Sequence, residues 1–186
     1  PDAGGAAAGV VVVPGLGLSS GEEARARMAE PDAAAAMRGL SAAVARGAEA
    51  ATSCSGAFLF AAAGLLSGRR ATTSWWLAPA FRQMHPDVRL DAGALVATDG
   101  PVTTAGAAMA QMDLMLSVVA RHADGRLADD CARYLLLDAR RSQARYMALG
   151  FLAASDERVA RAAAWAGDRL GEPLTVDDLA AAAGLA

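Results

Sequence analysis

Four consecutive valines, Val10–Val13, are closed at once by Pro14 and Gly15. A β-branched run ended by a turn pair predicts a strand buried on both faces, as in parallel sheets covered by helices. Ser19, Ser20 and Gly21 followed by Glu22 and Glu23 mark a helix start with acids in its first turn, and Pro31 stands near the start of a second helix. Leu40, Val44 and Ala48 then recur at four-residue spacing, with Gly47 as a stop. The small residues from Ala48 to Ser53 read as the next strand, and the apolar run Ala57–Leu66 as the next helix.

Beyond Gly68, residues Ala71–Trp76 read as a short strand running into a loop, and Ala78–Met84 as a helix closed by His85 and Pro86. Val88–Leu90, Ala94–Thr98 and Val102–Thr104 are strand-like, the last two joined by the turn signal Asp99-Gly100-Pro101. A long helix over 106–123 carries Met109, Met112, Leu116 and Val119 on one face with Met115 beside them, a stripe expected to be core. A further helix is expected over Asp129–Leu137. Alternating strands and helices of this kind predict a doubly wound α/β domain over 1–137, a mostly parallel sheet flanked by helices.

From Asp138 the pattern changes. Residues 138–155 are charged and without a clean period, which predicts a linker whose Arg140, Arg141 and Arg145 are solvated or salt-bridged. Ser155 then caps a helix expected to turn Val159, Ala162, Ala163, Ala166 and Leu170 inward. The last stretch, within 156–186, begins at Thr175, which has Asp178 at the capping-box position. Leu179 faces inward and Gly184 ends the helix four residues after Ala180. A small residue four before a glycine is the spacing of the first helix and turn of a helix-turn-helix, where a second helix packs close. The chain stops before any such second helix, so these residues are scaffold rather than base-reading groups.

Composition narrows the function. The net charge is −3 and every one of the 17 basic residues is Arg, with Lys, Ile and Asn absent, a pattern read as codon bias. That balance argues against an arginine-rich nucleic-acid surface and gives no sign of bulk electrostatic capture of a polyanion. The two cysteines make no disulfide framework, and Cys131, on an amphipathic stretch, reads as a small core residue. His85 and His122 have no metal-ligand spacing, so no metal site and no cofactor is expected. The uncharged stretch between Glu49 and Arg69 contains Thr52, Ser53, Ser55, Gly56, Gly64 and Ser67 and is strongly apolar only over Ala57–Leu66, too short to span a bilayer. A cytoplasmic, membrane-free protein is expected.

The candidate chemistry lies at Cys54. Strand, then Cys54-Ser55-Gly56, then helix is the geometry of a nucleophile elbow, in which small neighbours let the backbone bend and present one side chain. A helix N-terminus there favours a thiolate.

With both ends read, the chain resembles AraC-family transcriptional regulators with an N-terminal type 1 glutamine-amidotransferase-like (ThiJ/PfpI-like, GlxA-type) domain. The resemblance is carried by Val11 to Gly15, Ser53 to Leu59, Gly68 to Trp76, Pro86 to Asp91, Asp99 to Gly106, Ala132 to Leu135, and Pro173 to Ala180. It implies a flavodoxin-like α/β fold whose first strands precede Val10–Val13, followed by the start of a helix-turn-helix DNA-binding domain. In the superfamily's enzymes a His pairs with the elbow cysteine, and many of these regulators carry a His in the Thr-Thr-x-Trp segment; here Ser74 stands in that segment. A serine is no base near neutral pH, so an activating dyad is not expected.

The resemblance thus implies a regulator that reaches DNA through the full-length C-terminal domain. Its α/β domain would sense a small-molecule effector or form a homodimer, with Cys54, Ser55, Gly56, Ser74, Trp75, Ala105 and Gly106 lining the pocket. The rival readings are a cysteine-dependent hydrolase or amidase of the same superfamily, and a redox sensor working through Cys54.

Overall fold

The structure, a computed structural model, describes residues 9–147 and 157–185. The chain divides into two compact units, Pro1–Ala144 and Arg145–Ala186.

In the first unit, β1 (Val10–Val13), β2 (Glu49–Ser53), β5 (Val96–Asp99) and β6 (Val102–Ala105) form one sheet in the order β1-β2-β6-β5. The first three strands are parallel, with Val13 opposite Thr52 and Ser53 opposite Ala105; β5 returns antiparallel to β6. That return is the expected hairpin, and Gly100 takes the positive φ of 59° that the turn needs. Two short strands, β3 (Arg70–Ala71) and β4 (Arg89–Leu90), pair in parallel as a separate ribbon.

The period of two along β2 sends neighbouring alanines to opposite faces. Ala50 joins a core cluster with Leu40, Phe58, Phe60, Phe81 and Val102, whereas Ala51 joins Leu95, Ala105, Ala110 and Leu114. The first cluster is roofed by α1 (Gly21–Met28), α2 (Pro31–Ala45), α3 (Gly56–Ala62) and α4 (Ala78–Met84); the second lies under α5 (Ala110–His122), against which α6 (Gly125–Tyr134) packs. Helices therefore cover both faces, and the doubly wound α/β reading holds. Phe58 and Phe81 meet edge to face at 5.0 Å, fully buried.

Several sequence expectations are corrected. Val10–Val13 is not buried on both faces, for Val12 is 36% exposed and the other three are half-buried; among the described residues β1 stands at the edge of the sheet. The methionine stripe of α5 is not core, for Met109 is 61% exposed and Met112 is also exposed. Ala110 and Leu114 face the sheet instead, with Val118 following at the same spacing. The small Cβ of Ala110 lets the helix lie close, so the buried stripe is turned by one residue from the methionines. Cys131 is half-buried rather than core. Its helix, α6, starts earlier than expected, at Gly125 behind an Asp124 cap, and ends at Tyr134. Of the 71–76 region only Ala71 is strand, together with Arg70 before it; Trp75–Leu77 is a 3-10 turn.

In the second unit, α7 (Glu157–Gly167) packs on α8 (Val176–Ala183). Ala162 and Ala166 are half-buried as expected, but Val159, Ala163 and Leu170 are exposed. The expected Ser155 cap lies outside the described residues.

Candidate functional site

β2 lies between β1 and β6, so its carboxyl end points out of the middle of the sheet, and the chain must leave it sharply to enter α3. Cys54 makes that bend with φ 54°, a left-handed conformation rare for a residue with a side chain. Its N–H donates to Ala105 O at 2.9 Å and Gly106 O at 2.8 Å. Ser55, fully buried, accepts at Oγ from Leu16 N at 3.0 Å and Leu18 N at 3.3 Å, fastening the loop after β1 to the elbow. Gly56 tolerates no side chain: a Cβ there would lie 2.1 Å from Thr52 Oγ1 and 3.0 Å from Pro14 O.

The thiol meets a hydroxyl. Ser74 Oγ, fully buried, donates to Cys54 Sγ at 2.9 Å, and next to it Thr73 Oγ1 donates to Cys54 O at 2.8 Å. A Cβ on Gly15 would stand 3.0 Å from the Cys54 Cβ and 3.7 Å from Sγ, so the loop after β1 packs against the thiol. Trp75 is half-buried and packs edge to face on Trp76 at 5.4 Å. Cys54, Ser55, Gly56, Ser74, Trp75, Ala105 and Gly106 thus converge around the carboxyl ends of β2 and β6, all buried except Trp75.

Neither histidine is bonded to the thiol. His85 packs against Phe58 and Phe81 with ring centroids at 6.1 and 5.1 Å, and desolvation lowers its pKa while Asp87 works in the opposite direction. His122 lies 3.4 Å from Glu49 Oε2, at the amino end of β2. A serine hydroxyl neither accepts a proton near neutral pH nor transfers one readily, so the arrangement orients the sulfur without supplying a base. Among the described residues no group of three His, Cys, Asp or Glu could hold a metal ion.

The sequence reading missed two residues of this neighbourhood. One is Thr73, hidden in a motif noted only for its neighbours. The other is Gln143, which falls in the stretch expected to be linker and is 2% exposed. Gln143 Nε2 has Thr73 O at 2.8 Å, Ala92 O at 2.9 Å, Ala94 O at 3.1 Å and Thr72 Oγ1 at 3.2 Å, and Oε1 accepts from Ala107 N at 3.2 Å. The amide orientation follows from chemistry, since the reverse would set an oxygen against three carbonyls. Ser142 bridges Ala94, and its Oγ donates to Gly93 O at 2.7 Å. Arg140 pairs with Asp113, the salt-bridged alternative for this arginine stretch. Asp91 organises the opposing loop: Oδ1 accepts from Gly93 N and Ala94 N, and a hydrogen bond from Arg70 leads the effects that hold its carboxyl below the usual carboxylate range. A lone glutamine among arginines, with no periodicity, carries no signal that sequence reasoning could have used.

In the second unit the predicted capping box is present. Thr175 Oγ1 accepts from Asp178 N at 3.2 Å, and Thr175 N donates to Asp178 Oδ2 at 3.0 Å. Gly184 closes α8 at φ 75°, with Leu185 N bonded to Ala180 O at 2.9 Å. Leu179 and Ala180 are half-buried and line a shallow apolar groove of about 370 Å³ with Val159, Ala162, Val176 and Ala183.

No family model matches the chain. It is similar to the HTH-type transcriptional regulator CdhR of Pseudomonas aeruginosa, 35% identical over 82 residues, which are 44% of this chain and 24% of that protein. It is likewise similar to the HTH-type transcriptional regulator GlxA of Rhizobium meliloti, 39% identical over 79 residues, 42% of this chain and 23% of that protein. The matched stretch therefore spans about a quarter of the length of these curated relatives.

Among solved structures, a ThiJ/PfpI family protein from Pseudomonas syringae superposes with TM-score 0.56 at 26% identity, over 69% of this chain and 50% of that one. An AraC family transcriptional regulator from Pseudomonas putida shares the fold with TM-score 0.54 at 22% identity, over 68% of this chain and 62% of that one. The architecture read in the sequence, a ThiJ/PfpI-like fold as in AraC-type regulators, is the one these comparisons return.

Proposed function

We propose that the chain is the sensing part and the first DNA-domain helices of an AraC-type transcriptional regulator. The observation that carries this is α8, bounded by the Thr175 capping box and left-handed Gly184, in a chain whose curated relatives are HTH-type transcriptional regulators. The α/β unit serves as the effector-sensing or dimerising module, with Cys54, Ser55, Gly56, Ser74, Trp75, Ala105 and Gly106 around the effector. The buried pair Ser74 Oγ–Cys54 Sγ supports binding over turnover, because the residue beside the sulfur is no base.

Thr175, Leu179, Ala180 and Gly184 would set the angle at which a following helix reaches DNA, not read bases themselves. A homodimer suits a reader of paired half-sites, and the cytoplasm suits both DNA access and a free thiol. Among the described residues no helix is long and apolar enough to cross a membrane.

The test is selection of the complete gene product on random-sequence duplex DNA. Enrichment of a defined motif, with affinity falling steeply as salt rises, is expected. No enrichment, together with amide or ester hydrolysis that disappears in Cys54→Ala, would replace the regulator with an enzyme.

A further inference from the structure

Two backbone segments hold the Cys54 peptide, and one side chain grips both. Thr73 Oγ1 donates to Cys54 O, and Thr73 O in turn accepts from Gln143 Nε2. On the other side Cys54 N donates to Gly106 O, and Gly106 is pressed against the Gln143 amide so closely that a Cβ there would lie 2.5 Å from Oε1 and 2.7 Å from Nε2. The Gln143 oxygen also accepts from Ala107 N, next along the same segment.

Its Nε2 has two hydrogens for four acceptors, so the bonds are shared among Thr73 O, Ala92 O, Ala94 O and Thr72 Oγ1, and Thr73 O at 2.8 Å is the nearest of them. The two residues that follow Gln143 are Ala144, the last of the first unit, and Arg145, the first of the second.

We propose that Gln143 is a positioning residue for the Cys54–Ser74 pair and that Ser142–Gln143 is a latch. It is seated only while Thr73 and Gly106 hold the elbow as described. A change at the thiol, by an effector or by covalent modification, shifts Thr73 or Gly106, unseats the glutamine and frees the chain that enters the second unit. Conversely, losing the glutamine loosens Ser74 from the sulfur. This deepens the proposed sensing role and rests on it for its biological meaning, but the mechanical link itself needs no DNA. Such a link is a local opening of one strap within a unit that stays folded.

The experiment uses the purified chain in a Cys131→Ser background, so that Cys54 is the single thiol. Iodoacetamide alkylation of Cys54 is timed in the parent, Gln143→Glu, Gln143→Ala and Leu40→Ala, the last a core truncation elsewhere in the unit. Separately, tryptic cleavage after Arg145 is timed in the parent with Cys54 free and with Cys54 alkylated. Alkylation faster by about tenfold or more in both Gln143 variants, but not in Leu40→Ala, is expected, together with a similar gain in cleavage after Arg145 once Cys54 is alkylated.

Equal alkylation in every folded form, including no reaction in any, overturns the latch, as does an equal gain in Leu40→Ala. Should the Gln143 variants not fold, the cleavage comparison decides alone: unchanged cleavage after Arg145 overturns the proposal. Because DNA enters neither arm, a failed latch leaves the regulator reading standing, and a failed DNA selection leaves the latch standing.

Discussion

The strain at Cys54 yields a sharp prediction. With φ at 54° the side chain sits in the left-handed region, which costs a non-glycine residue about 1–2 kcal/mol. Replacing Ala by Gly at an ordinary buried position loses about 0.5–1 kcal/mol of backbone entropy and about 0.8 kcal/mol of methyl burial. At position 54 the relief of strain offsets most of that loss. Cys54→Gly should therefore lie within about 0.5 kcal/mol of Cys54→Ala, whereas Ala51→Gly, on the strand that leads into the elbow and 1% exposed, should cost about 1.5 kcal/mol. The difference between the two positions measures the strain.

The assay is urea unfolding followed by the fluorescence of Trp75 and Trp76 in a Trp165→Phe background, which isolates the first unit from the second. If the Ala-to-Gly step costs as much at 54 as at 51, Cys54 carries no strain and the elbow argument fails.

Three further outcomes follow from the same structure. Gly106→Ala drives a Cβ into the Gln143 amide and should destabilise the first unit by about 3 kcal/mol, since displacing the amide abandons several buried hydrogen bonds, read as a fall in the urea midpoint. Thr52 Oγ1 is buried without a hydrogen-bond partner, so Thr52→Val, of the same shape, should stabilise by about 1 kcal/mol in the same assay. His85 binds its proton less tightly folded than unfolded because burial disfavours the charged ring, with Asp87 opposing. Its contribution is complete above the ordinary value of 6.5 and falls away as pH drops below it. His85→Phe should thus flatten the stability profile between about pH 6.5 and 5, and an unchanged slope would show that the ring is solvated.

The strand–elbow–helix, the hairpin at Asp99–Pro101 and the capped helix at Thr175 were legible because each rests on local chemistry: a turn pair, a run of small residues, a capping box. The partial exposure of Val10–Val13 was not, since four valines look alike whether one or both faces are covered. The α5 stripe misled for a different reason. Hydrophobic periodicity weights Met above Ala, while close helix–sheet approach selects the small Ala110 and leaves Met109 outside. Within the site Cys54 is bonded to Ser74, Ala105 and Gly106, but the grip on this neighbourhood by Thr73 and Gln143 was invisible. A side chain that bonds backbone carbonyls of two separate segments and an N–H of a third leaves no spacing in the sequence to read. Residues 138–144 fell within the stretch read as a solvated or salt-bridged linker because charge was counted, and the neutral Ser142 and Gln143 that anchor them were not.

The central claim is that the Cys54 site is a sensor coupled to a DNA reader. Its most direct test measures the affinity of the complete gene product for its selected DNA motif with Cys54 free and with Cys54 alkylated, at fixed salt. Coupled sites of this kind shift affinity by about 5–150-fold, and a change of that size, absent in Cys54→Ala treated in the same way, is the predicted result. Identical affinities for the free and alkylated forms would contradict the account.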